Sequence, residues 1–107
     1  MAGTILLVLS GPALAQKVYE GDEALALRCA NTLALTAVAL ESAGRLEAAE
    51  KDAMLGITIR MLDRHVSGTW GQKRAALRVM RDRRSVPDTL ADYRQNAVRC
   101  LRQFPIN

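Results

Sequence analysis

The chain has 107 residues, with 15 Lys and Arg against 11 Asp and Glu, half of its residues apolar and only 4% aromatic. That length allows one domain. A composition rich in Ala, Leu, Arg and Glu, with β-branched residues scattered and no alternating apolar–polar run, excludes a sheet protein and predicts an all-α fold. The net charge of +4 conceals a division, since residues 17–59 hold four basic and seven acidic side chains and residues 60–107 hold eleven and four. Such halves can neutralise one another helix against helix, so charge alone names no anionic partner.

Residues 1–16, MAGTILLVLSGPALAQ, carry no charged side chain. Ile5–Leu9 reads as the apolar core of a secretory leader, Gly11-Pro12 breaks its helix, and Ala13 and Ala15 are the small residues a signal peptidase requires. The expectation is a signal peptide over 1–15, cleaved before Gln16, and a single helical domain over 16–107 in the periplasm or secreted. The apolar stretch is shorter than the about 20 residues a bilayer span needs, and no cysteine follows it for lipid attachment. In an oxidising compartment the isolated pair Cys29 and Cys100 is most simply a disulfide.

Four helices follow in chain order. Gly21-Asp22 opens the first and Gly44 stops it in a left-handed conformation. Between Ala24 and Leu40 its single charge is Arg28. Leu25, Cys29, Leu33, Thr36 and Leu40 share a stripe, and the other faces are also largely apolar, so this helix is buried on several sides or lies against a partner. The second runs from about Leu46 to Val66, acidic at Glu47, Glu50 and Asp52, with a stripe Leu55, Ile59, Leu62, Val66. Gly56 inside it reads as a close helix approach. Thr69-Trp70-Gly71 begins a basic third helix through about Arg83, whose narrow apolar side is Ala76, Leu77 and Met80. Ser85 caps the fourth, with Pro87 and Asp88 in its first turn, where a missing N–H and a negative charge both belong. Leu90, Tyr93, Ala97, Leu101 and Phe104 form its core face, and Pro105 ends it.

Short connections predict an up-down-up-down four-helix bundle. At 1.5 Å per residue, Cys29 lies about 10 Å from the start of the first helix and Cys100 about 6 Å from the end of the fourth, which share a level in that topology. The bundle is therefore expected to be clasped by the bridge.

No catalytic set is present. The chain has one histidine, no serine in a nucleophile elbow and no Gly-rich phosphate loop, so it is not expected to be an enzyme. Met54, Met61 and His65 share a helical stripe that could face a soft cation, but methionines at this spacing ordinarily fill core gaps, and no metal or cofactor is expected. The second helix, Val66-Ser67-Gly68-Thr69 and the third helix resemble a DNA-binding helix-turn-helix in outline. Arg64 and Arg74 stand where that motif has a small and an apolar residue, so no nucleic-acid partner is expected.

The feature with most functional content is the third helix. Arg74, Arg78 and Arg81 lie on one face, Lys73 stands beside them, and Trp70, the only tryptophan, is at the entrance. Arg and Trp together suit carboxylates and other anions and are favoured at binding surfaces. The competing reading is a solvated face paired with Glu47, Glu50 or Asp52. The leading expectation is a non-enzymatic exported interaction protein that binds a protein or an anionic envelope component through Trp70, Lys73, Arg74, Arg78 and Arg81. A stress or chaperone-like protein, or a small ligand or metal carrier, is the alternative, and a homodimer is compatible with either.

Overall fold

A computed structural model describes residues 17–107, which form four α-helices and no strand: α1 (Gly21–Ser42), α2 (Ala48–His65), α3 (Trp70–Asp82) and α4 (Val86–Gln103). The leader read into residues 1–15 lies outside the described residues. Each boundary has a local cause. Gly44 adopts φ +73°, and the N–H groups of Gly44 and Arg45 donate to the Glu41 and Leu40 carbonyls at 3.0 and 2.8 Å, closing α1 in a Schellman turn. Glu50 accepts from the Glu47 N–H ahead of α2. Thr69 and Gln72 exchange side-chain and backbone hydrogen bonds at 3.1 and 2.9 Å to start α3. Ser85 Oγ accepts from the Asp88 N–H at 3.1 Å to start α4.

The helices alternate in direction, and α1 is the hub, packing against each of the other three. Its window of mean hydropathy 1.3 is long and apolar enough to cross a membrane by composition alone, yet here that helix forms the centre of a bundle. Alanines 26, 30 and 37 are wholly covered. Their small side chains let three neighbours approach one helix, which is why α1 has no polar stripe. Leu27, Leu33, Met61, Leu62, Val66 and Phe104 complete the core.

Cys29 and Cys100 are joined, with Cα atoms 5.7 Å apart, and no cysteine among the described residues is free. The bridge fastens α1 to the antiparallel α4 across 71 positions. In the loop-entropy account, closing so long a loop contributes up to about 4 kcal/mol.

Two helices are rotated from the faces their apolar residues predict. On α2, Ile59 is 52% exposed, and the inward face is Thr58, Met61 and Leu62. Thr58 can turn inward because its hydroxyl donates to the Met54 carbonyl one turn back at 3.0 Å. On α4, Leu101 faces outward, while Thr89, Asp92 and Cys100 are buried. There the disulfide and the partners of Asp92 set the rotation. Gly56 marks no close approach: a side chain at that position would meet nothing within 4 Å.

Candidate interaction surface

The loop that leads into α3 is held by the segment ahead of α1 and by its first turn. Tyr19 Oη donates to the Ser67 carbonyl at 2.7 Å, and the Ser67 N–H donates to Glu23 Oε2 at 2.6 Å. The hydrogen bonds from Ser67 hold the Glu23 carboxyl below the usual glutamate range. Partial burial, and then the Glu23 charge, push the Tyr19 phenol up. Both backbone groups of Ser67 are thereby engaged, and the start of α3 is fixed against the start of α1.

From that anchor α3 runs beside α1, with Ala76, Leu77 and Met80 packed on the core. Trp70 is 44% exposed. Arg74, Arg78 and Arg81 all point outward. They line a groove of about 240 Å³ between α3 and α1, together with Asn31, Ala34, Leu35 and Leu77. Arg81 pairs with its exposed neighbour Asp82 at 3.3 Å, whereas Arg74 and Arg78 have no ion pair among the described residues. Glu47, Glu50 and Asp52 do not meet them either, since the acidic turn of α2 faces solvent. The groove therefore has a largely apolar floor, with Asn31 as its polar member, and a cationic rim on which Arg81 alone is paired among the described residues.

Lys73 stands apart from this rim. It is only 6% exposed, its Nζ donates to the Leu62 carbonyl at 3.1 Å, and it lies 5.1 Å from the centre of the Trp70 ring. The residue expected on the cationic face is thus an internal strut that ties α3 to the last turn of α2 and supports the tryptophan from beneath. A lysine stem covered by apolar neighbours with its head on a carbonyl is an ordinary way to bury this side chain.

A second charged cluster centres on Asp92. Asp92, 7% exposed, accepts from Arg28 Nε and Thr32 Oγ1, each at 3.2 Å, and from Asn96, with Arg84 at 3.5 Å. Burial pushes its carboxyl up, but the hydrogen bonds from Asn96, Arg28 and Thr32, together with the Arg28 charge, outweigh it and hold the group below the ordinary aspartate value. The one signal in the sequence is Arg28 itself, the single charge between Ala24 and Leu40, which needs a partner. The cluster joins α1, the turn between α3 and α4, and α4.

Two members of the Met54, Met61 and His65 stripe have structural partners of their own. Met61 lies in the core. The imidazole Nε2 of His65 is 2.7 Å from the Pro105 carbonyl and its ring meets Phe104 edge-on at 5.4 Å. Bonded to a carbonyl, Nε2 carries the proton, and His65 fastens the C-terminal segment to α2. Among the described residues no group of three His, Cys, Asp or Glu side chains is placed to hold a metal ion.

The sequence matches no protein-family model, and comparison with curated proteins and with solved structures returns no match.

Proposed function

We propose that the protein is an exported, non-enzymatic interaction module whose α3 face receives an acidic, amphipathic segment of a partner protein. One observation carries this reading: Arg74, Arg78 and Arg81 border an apolar-floored groove and draw no charge from the acidic half of their own chain. Guanidinium groups offer paired donors that match carboxylates. Ala34, Leu35 and Leu77 offer a floor on which an apolar side chain of the same segment can rest. Trp70, half exposed beside the rim and braced by Lys73, adds a large rigid side chain of the kind that anchors interfaces. An amphipathic helix laid in a groove uses this combination of features. Export to the periplasm or the medium is supported by the leader-like residues 1–15 and by the Cys29–Cys100 bridge.

The chaperone-like alternative requires α1 to offer apolar surface, and of its large apolar side chains only Leu25 and Val38 are exposed, both in part. The interaction reading is tested by affinity capture from an envelope extract with the disulfide-intact protein and its R74Q/R78Q/R81Q variant. A partner protein retained by the former and lost by the latter supports the reading. Anionic lipid retained in place of a protein sinks the partner class, and equal retention by both sinks the site.

A further inference from the structure

We infer that the crevice between the end of α1 and the start of α4 binds a free fatty-acid carboxylate, independently of the α3 face. The crevice holds about 550 Å³, within the range of about 300–1,000 Å³ typical of small-molecule sites. Its walls are apolar: Leu40 and Ala43 on one side, Val86, Leu90 and the Tyr93 ring on the other. Thr36, 1% exposed, closes the floor. Two cations, Arg45 and Arg94, stand at the exposed edge of this apolar slot. Neither has an ion pair among the described residues.

The fold fixes this arrangement. Arg45 follows the left-handed Gly44, and its own N–H is tied to the Leu40 carbonyl at 2.8 Å, so its backbone is locked at the lip of the crevice. Arg94 is one turn beyond Leu90 on α4, and helical spacing sets both toward the same side. An apolar slot with guanidinium groups at its edge matches one acyl chain ending in one carboxylate. The chain is buried along Leu40 and Leu90, and the carboxylate accepts from the arginines. A cationic amphiphile of equal chain length meets the same walls and is repelled at the edge.

Titration calorimetry with dodecanoate on the disulfide-intact protein tests this, with dodecyltrimethylammonium as the cationic control. One dodecanoate is expected per chain, and the cationic control is expected not to bind. R45Q/R94Q, which changes two exposed side chains, should weaken dodecanoate binding by about tenfold or more, the effect of losing charged hydrogen bonds. L90W, which fills the slot, should abolish binding, and circular dichroism shows whether that variant has folded. R74Q/R78Q/R81Q should bind dodecanoate unchanged, which separates this site from the partner groove. The inference is overturned if dodecanoate does not bind, if the cationic amphiphile binds equally well, if R45Q/R94Q binds as the parent does, or if folded L90W still binds. It is likewise overturned if binding falls instead with the α3 arginines, or if light scattering finds a dimer that closes the crevice.

Discussion

The ammonium of Lys73 donates to the Leu62 carbonyl at 3.1 Å while lying 5.1 Å from the centre of the Trp70 ring. One side chain thus links the last turn of α2, the first turn of α3 and the exposed tryptophan. It separates Lys73 from Arg74, Arg78 and Arg81, its neighbours on the same helix.

Lys73→Ala should therefore act on stability. Loss of a buried charged hydrogen bond and of the covered lysine stem should cost about 1–2 kcal/mol, read as a lower urea midpoint with the denaturant slope unchanged. Capture of the partner should persist in weakened form, because the arginine rim is untouched while Trp70 loses its brace. A variant of parental stability that loses the partner would place Lys73 in the interface.

Asp92 gives a pH dependence whose sign follows from its partners. Its carboxyl sits below the ordinary value of 3.8 in the folded chain, so its stabilisation is complete above that value and is lost as the pH falls through the lower folded one. Glu23, depressed by Ser67, acts in the same direction. Asp92→Asn keeps the shape but removes the charge facing Arg28 and Arg84. Arg28 is half exposed and stays solvated, so the expected cost at neutral pH is about 1–2 kcal/mol. Melting curves from pH 6 to pH 3 should show a shallower acid decline for the variant than for the parent.

Local signals made much of the fold legible in the sequence. Gly44, Thr69, Ser85 and Pro87 mark helix ends through backbone conformation and capping, and those ends fall where the residues place them. The cysteine spacing fitted a bridge between α1 and α4, and it is there. The rotation of α2 and α4 was not legible, because it depends on which polar groups find partners. Thr58 turns inward at the expense of Ile59 by bonding Met54, and Asp92 turns inward at the expense of Leu101 by bonding Arg28, Thr32 and Asn96. At the candidate site the exposed arginines followed from helical spacing. Burial of Lys73 did not, since it requires the Leu62 carbonyl to lie opposite. The α1–α4 crevice is a product of tertiary packing at a helix end, and no run of residues announces it.

Gly56 and Gly68 should respond in opposite directions to alanine. Around Gly56 a side chain meets nothing within 4 Å, and in a helix interior Gly→Ala should add about 0.5–1 kcal/mol of stability. Gly68 has φ +95°, and an added Cβ would lie 2.6 Å from Gln72 Oε1 and 2.8 Å from Tyr19 Oη. Both of those atoms are already committed to hydrogen bonds that hold the loop. Gly68→Ala should cost about 1–2 kcal/mol or more. Denaturation midpoints of the two variants, measured side by side with the parent, check both signs.

The most direct test of the α3 surface measures two quantities on one variant, R74Q/R78Q/R81Q. Among the described residues Arg74 and Arg78 hold no ion pair, and Arg81 pairs with its exposed neighbour Asp82. Each change should therefore move stability by no more than about 0.5 kcal/mol. The expected result is a melting temperature close to the parent's together with loss of the captured partner. A lower melting temperature with the partner still retained would contradict it and make the three arginines part of the scaffold.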